Sequence, residues 1–377
     1  MPPGPSVWTV MLALLGVHVA AMGAFLTTPV LAPAIAAETG LAASLAGLHT
    51  ALVYAGALVS GPFTGLLLRR FGGIRVCQGA LVTLGAGIAL STIGTPAALA
   101  ASALIAGFGH GPVTPAGSHL LASRVPPRRR SLIFSLKQTG VPGGAMLVAA
   151  IAPAVATLAG WRAGALTIAG LAVLGALALQ PIRAAVDADR VRGPIGGLGA
   201  AWRDATGSLG LLRQLPALRA LTFAAACLGI AQFCFGSFFV VMQVEQLGRS
   251  LAEAGLAMAL AQAGGVVGRV AWGAVADRAG AVRVLMGLAL GAAAASAALA
   301  FAAPGWPASL LALTGLAMGA SAIGWNGVLL SEAARVSPAG QVGGATAALG
   351  VVFGLAMMVG PPAFSGLVAL TGGYGAG

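Results

Sequence analysis

Charge is what this chain has least of. Asp, Glu, Lys and Arg make up 7% of its 377 residues, against roughly 25% in an ordinary soluble domain. No water-exposed fold can be surfaced with so few charges. Acids are the scarcer sign, eight against 20 basic residues, and lysine occurs once, at Lys137. Cysteine is limited to Cys77, Cys227 and Cys234, with no Cys-x-x-Cys spacing. That excludes a disulfide scaffold and a thiolate zinc site, and the three read as small buried hydrophobes. A phosphate-binding Gly-x4-Gly-Lys-Ser/Thr, a His-Glu-x-x-His, an Asp-rich diphosphate motif and a pair of carboxylates inside an apolar run are all absent. Neither an enzyme nor ATP-driven transport by this chain alone is therefore expected.

What is present is apolar. Hydrophobic residues make up 58% of the chain, and its 58 glycines and 21 prolines fall inside long apolar runs, as in transmembrane helices. A spanning helix needs about 20 mostly apolar residues. Cutting at Gly/Pro and Arg punctuation predicts eleven segments: 7–32, 43–68, 76–95, 97–122, 131–158, 161–182, 218–243, 251–275, 284–303, 307–331 and 342–369. The first lacks a basic leader and a small-residue cleavage site, so it reads as a retained helix rather than a signal peptide.

The basic residues form no single face with interleaved aromatics, so no nucleic-acid partner is expected. They cluster in alternate connections: Arg69, Arg70 and Arg75; Arg124 and Arg128 to Arg130; Arg183 to Arg219; Arg278 and Arg283; Arg335. With their flanks these hold 16 of the 20, while the other side keeps only Arg162 and Arg249. Under the positive-inside rule this predicts a multi-pass inner-membrane protein, bacterial in type, with a cytoplasmic N-terminus.

The two halves repeat. Val76 to Ser123 is a charge-free stretch of 48 residues, and Val284 to Ser331 is another, displaced by 208. Before them come Gly65-Leu-Leu-Leu-Arg-Arg-Phe-Gly-Gly-Ile-Arg75 and Gly273-Ala-Val-Ala-Asp-Arg-Ala-Gly-Ala-Val-Arg283, at the same displacement. The expected organisation is an N-terminal six-helix bundle (1–182), a cytoplasmic linker (183–217) and a C-terminal bundle (218–377) with five helices. Ala159 to Gly164, which opens the sixth helix, has a counterpart in Gly372 to Gly377. A twelfth helix is thus expected where the sequence stops, and truncation is the preferred explanation.

These residues resemble the major facilitator superfamily (MFS) of secondary transporters. Its signature between helices 2 and 3, Gly-x-Leu-x-Asp-Arg-x-Gly-Arg-Lys, is matched by Gly273, Asp277, Arg278, Gly280 and Arg283, and more loosely by Gly65, Arg70, Gly72 and Arg75. Such turns let helices approach at glycine, and their acid can latch one conformation. Arg69 stands where the first copy should have its acid, which makes Asp277 the better latch. The run from Ser135 to Gly144 resembles a cyanate-permease-like bacterial branch, and Gly140, Pro142 and Gly143, with Pro361 in the eleventh segment, are expected to flex their helices.

Lys137 lies about 9 Å into its helix at 1.5 Å per residue. An intramembrane ammonium is costly without water, partner or ligand, though a lysine can also snorkel to the headgroups from that depth. Arg269 is expected to join the Asp277 turn as a gating residue. Polar residues concentrate in segments 1, 4, 7 and 10 (His18, His110, Gln232, Asn326) and in 5 and 8 (Gln138, Gln262). By resemblance these helices line or flank the central cavity of the fold. The expected protein is an all-α secondary active transporter working by alternating access, carrying a small organic or inorganic anion, in a lipid bilayer and as a monomer. No cofactor is expected; coupling to a proton or anion gradient stays open. The alternatives are an exporter of apolar, drug-like compounds or, further off, a polytopic membrane enzyme or receptor.

Overall fold

The computed structural model describes residues 5–122, 124–125, 130–188, 199, 202, 207–338 and 341–376. Residues 189–198, 200–201 and 203–206 of the expected linker, and Arg128 and Arg129, lie outside the described residues. Among the described residues, ten helical stretches are long and apolar enough to cross a membrane: Val7–Thr39 (α1), Ala43–Phe71 (α2), Gly73–Ser91 (α3), Pro96–Leu121 (α4), Leu136–Ala178, Pro216–Glu245 (α7), Leu251–Ala279 (α8), Ala281–Ala300 (α9), Ala308–Val336 (α10) and Val342–Thr371 (α11).

Leu136–Ala178 holds the fifth and sixth expected segments. Its 43 residues would extend about 64 Å as one straight helix, twice the hydrocarbon thickness. Gly160 breaks it, with φ 83° and ψ 160°. A Cβ on Gly164 would lie 2.7 Å from the carbonyl oxygen of Ala152, a contact two residues twelve apart make only if the chain folds back. Residues 136–159 (α5) and 161–178 (α6) are therefore antiparallel, and the ten stretches make eleven crossings. α1 outruns its expected end at residue 32 because Pro29 and Pro33 do not stop it. Packing against neighbours makes such prolines tolerable in a membrane helix.

The repeat reappears as geometry. Trp161 at the start of α6 donates its indole N–H to Glu38 at the end of α1 (2.9 Å), and Arg162 pairs with the same carboxylate. In the second half, Tyr374 donates to Glu245 at the end of α7 (2.5 Å). Trp161 and Tyr374 are equivalent in the aligned turns, as are the two glutamates at helix ends.

The halves meet in the middle of the bundle and at its arginine-poor end. There Thr50 and Ser237 share a hydrogen bond of 2.8 Å, and Ser365 donates to the carbonyl of Ser44 at 2.6 Å. Glycines admit the closest approaches: a Cβ on Gly47 would lie 2.3 Å from the Pro361 carbonyl, and one on Gly255 would lie 2.4 Å from that of Ala149. Two sequence expectations are corrected. Cys77 and Cys234 are buried, but Cys227 is exposed, on an outer face where an apolar environment accepts a thiol as well as a core does. Gly65 and Gly273 have open space where a Cβ would be, so no helix approach depends on them.

Candidate substrate-binding site

At the centre of the bundle Met22, Leu26, Val141, Gln232, Phe233, Gly236, Gln262 and Ile323 enclose a cavity. Only about 10 Å³ of it is open to the centre of a water-sized sphere, room for a single water. α1, α5, α7, α8 and α10 contribute to the wall, so both halves close on it.

Below this cavity, toward the arginine-rich end, lies a layer of cations. Lys137 is 1% exposed. It does not snorkel. Its ammonium donates to the Ser118 hydroxyl at 3.3 Å and lies 5.5 Å from the ring centroid of Phe134. Gly117 makes room for it: a Cβ there would lie 3.5 Å from Nζ of Lys137 and 3.1 Å from Cε1 of His18. His18 is 2% exposed, and its Nδ1 is 2.8 Å from the Leu14 carbonyl. A carbonyl only accepts, so Nδ1 carries the proton and Nε2 is a bare lone pair, buried without a partner.

Arg269 completes the layer and corrects an expectation. It stands apart from the Asp277 turn, 8% exposed, and reaches across the interface between halves. Nη1 donates to the Gln138 carbonyl at 3.0 Å and Nε to that of Ile323 at 3.2 Å. The local sequence explains both acceptors. In a continuous helix the Gln138 carbonyl would receive the N–H of residue 142, but Pro142 has none, and helix Arg130–Gln138 gives way to the next at Thr139. The Ile323 carbonyl ends a π turn, Gly319–Ile323, the kind of local widening found at functional sites. Ala320 in the same turn accepts the Trp272 indole N–H at 2.9 Å. Pro142 thus frees an acceptor for the other half, a role beyond flexing. Gly140 and Gly144 press α5 onto α1, where a Cβ would lie 2.7 Å from the Leu15 carbonyl and 2.1 Å from that of Val19. Gly143 has only an ordinary contact, 3.6 Å to Val19.

Among the described residues, no carboxylate pairs with Lys137 or Arg269.

Beside the cavity, and sharing Phe233 with its wall, is a cluster of rings. Phe25 lies 5.1 Å from His110, 5.5 Å from Phe233 and 5.7 Å from Tyr54, centroid to centroid. Tyr54 meets Phe233 at 5.2 Å and Phe353 at 6.0 Å, and Trp325 meets Phe353 at 6.1 Å while donating to Gln232 at 3.1 Å.

Of the seven residues expected in the cavity, Gln232 and Gln262 line it, Lys137, His18 and Gln138 form its basic end, and His110 stands among the rings. Asn326 does not reach it. It is half-buried just beyond Trp325 and is not part of the cavity wall.

At the turns, Gly72 has φ 85° and Gly280 φ 90°, conformations that favour glycine. Asp277, Arg278, Arg70 and Arg283 are exposed, Arg75 half-buried, and Asp277 makes no ion pair among the described residues. A residue outside the sequence expectations holds the first turn: Asp187, fully buried, accepts from the backbone N–H of Ile74 (2.9 Å) and Arg75 (3.0 Å). The ring cluster was also missed, since its members come from six different helices. The one available signal for Asp187 was an acid just after an apolar run.

The profile of the Major Facilitator Superfamily matches residues 13–361. The chain belongs to that superfamily. It is 26% identical over 282 residues to an uncharacterized MFS-type transporter of Mycobacterium tuberculosis (strain CDC 1551 / Oshkosh), covering 72% of this chain and 59% of the relative. The counterpart from a second strain of that species is 25% identical over the same length and shares. The chain thus spans about three fifths of the length of the curated relatives it matches. Among solved structures, a bacterial homolog of the human lysosomal transporter Spinster, inward-facing and unoccupied, superimposes with a TM-score of 0.74 at 18% identity, over 98% of this chain and 86% of that one. A nucleoside transporter, NupG, gives 0.75 at 13% identity, over 97% and 93%. At these identities the structures establish the MFS fold. The relatives and neighbours carry transporter names rather than enzyme names.

Proposed function

We propose that this MFS protein is a secondary transporter that moves a small anion by alternating access, its bundles 1–182 and 218–377 rocking about the central cavity. Lys137 carries the reading. An ammonium buried on the arginine-rich side of the cavity, with one hydroxyl and one ring for company, costs several kcal/mol unless an anion joins it, and Arg269 adds a second such charge from the other half. Binding at the junction of repeats near the midplane is what such transporters use. The resemblance of Ser135 to Gly144 to the cyanate-permease-like branch supports a small anionic substrate too. With the arginine clusters cytoplasmic, as the positive-inside rule has it, the N-terminus is cytoplasmic, and the halves touch both at the outer end and, through Arg269 and the Gln138 carbonyl, on the cytoplasmic side of the cavity. Asp277 and Arg278 act on the equilibrium between states.

The test is uptake of labelled formate, acetate, benzoate and phosphate into proteoliposomes, with and without a pH gradient. Wild type takes up at least one of them saturably, and Lys137→Ala, folded to the same yield, loses that uptake. Unchanged kinetics in Lys137→Ala would refute the assignment. Coupling is read in the same vesicles. If a proton moves with the anion, no buried Asp or Glu carries it, and His18 with its bare Nε2 is the acceptor, with His110 behind it. Substrate-driven alkalinisation then disappears in His18→Gln; its absence from wild type means uniport or exchange.

The ring cluster favours a second reading, an exporter of apolar compounds. That reading leaves Lys137 and Arg269 without a counter-ion.

A further inference from the structure

Aromatic residues are sparse in this protein: 13 Phe, 6 Trp and 2 Tyr in 377 residues. Five of them, from five crossings, nevertheless converge beside the central cavity with His110. Their contacts straddle the interface between halves. Phe25 and Tyr54 belong to the first half, Phe233 and Phe353 to the second, and they meet edge to face, at 69° for Phe25 with Phe233 and 88° for Tyr54 with Phe233. Such pairs contribute beyond the area they bury. If the halves rock apart, these are contacts that must be given up, and a flat apolar group entering from the open side restores them.

The rings and the cations are the two ends of one site. His18, Met22 and Phe25 follow one another along a single face of α1 at helical spacing, and His18 to Phe25 is about 10 Å at 1.5 Å per residue. The cavity lies at the level of the rings, with Met22 and Leu26, on either side of Phe25 along α1, in its wall and Phe233 shared with the ring cluster. Val141, also in the wall, is one turn above Lys137 on α5. Ten ångströms is the length of one ring carrying a carboxylate on a short linker. A bare inorganic anion would satisfy the cations and leave the rings unused, while a neutral aromatic would do the reverse.

We propose that the substrate is a carboxylate with a planar aromatic body, its acid group held between Lys137 and Arg269 and its ring in the cage of Phe25, Tyr54, Phe233 and Phe353. This rests on the anion-transport reading above and adds the chemistry of the rest of the molecule.

The experiment is uptake of labelled benzoate by the full chain in proteoliposomes, competed by phenylacetate, cyclohexanecarboxylate, acetate and benzyl alcohol. Phenylacetate is expected to compete at a concentration about tenfold below acetate, the ratio that about 1.4 kcal/mol of ring contact gives. Benzyl alcohol, a ring without the charge, does not compete, and cyclohexanecarboxylate falls between the two acids. Phe353→Leu, which keeps the volume and removes the ring, raises the KM for benzoate several-fold and leaves that for acetate in place. Equal competition by acetate and phenylacetate, with uptake still dependent on Lys137, overturns the aromatic proposal and leaves the anion reading standing. An unchanged benzoate-to-acetate ratio in Phe353→Leu overturns it too. No saturable uptake of any carboxylate by wild type overturns the aromatic proposal, and no saturable uptake of phosphate either overturns both.

Discussion

The turn after α2 and the turn after α8 have nearly the same backbone and opposite surroundings. Gly72 (φ 85°, ψ 160°) and Gly280 (φ 90°, ψ 138°) each cap the helix that follows. Around Gly72 the space is full: Asp187 lies against it and accepts two N–H groups from the first turn of α3. Around Gly280 nothing approaches within 4 Å of where a Cβ would be. The family signature is stronger in the second copy, where Asp277 has its acid, yet the turn that is clamped is the first, where Arg69 replaces that acid. A carboxylate at the positive end of a helix is the physical requirement, and in the first half it arrives from the end of the short helix Gln180–Val186 that follows α6 rather than from the motif. The first turn is built as a fixed joint. The second has an exposed acid free to make and break contacts, as a moving joint needs.

Substituting the two glycines sharpens this contrast most. Gly72→Ala adds backbone strain of about 1–3 kcal/mol and drives a Cβ to 2.3 Å from Cγ of Asp187, so it should lose folded protein outright. Gly280→Ala carries the strain alone and should fold with a lowered midpoint of thermal unfolding. Equal losses would mean that the clamp adds nothing.

The carboxylates come next. Asp187→Asn weakens two buried charge-assisted bonds, a loss of about 1–3 kcal/mol in stability, whereas Asp277→Asn, exposed and without an ion pair among the described residues, should cost less than about 0.5 kcal/mol. Detergent-solubilised thermal unfolding measures both, and a larger loss in Asp277→Asn would reverse the assignment of fixed and moving joints. The smallest stability effect should accompany a conformational one. In Asp277→Asn, labelling of engineered cysteines should shift toward the inward-open form, while Asp187→Asn should leave the ratio of labelling on the two faces unaltered. If neither changes it, the second turn is only a topology signal.

What could be read in advance follows from range. The crossings were legible because lipid demands about 20 apolar residues in a row, and the structure moves their ends by only a few residues apart from α1, which runs on through Pro33 to Thr39. Lys137 was legible because one charge inside an apolar run is conspicuous. Its partner across the interface was not. Arg269 appeared closer in sequence to Asp277 than to Gln138, and only the missing N–H of Pro142 explains why the Gln138 carbonyl is free to receive it. Asp187 lies 112 residues from the N–H of Arg75 that it binds, and no local pattern announces such a contact. The rings were invisible for a related reason: each is an ordinary core residue in its own helix, and only the packing of six helices makes them one surface.

The central claim is that the buried Lys137 waits for an anion. Titrating sodium benzoate into purified protein while following thermal unfolding tests it without any assumption about coupling or direction, since a ligand of the folded state raises its stability by RT ln(1 + [L]/Kd). The account predicts a saturable rise in the unfolding midpoint of wild type, absent from Lys137→Ala at every concentration. A rise of the same size in Lys137→Ala would contradict it.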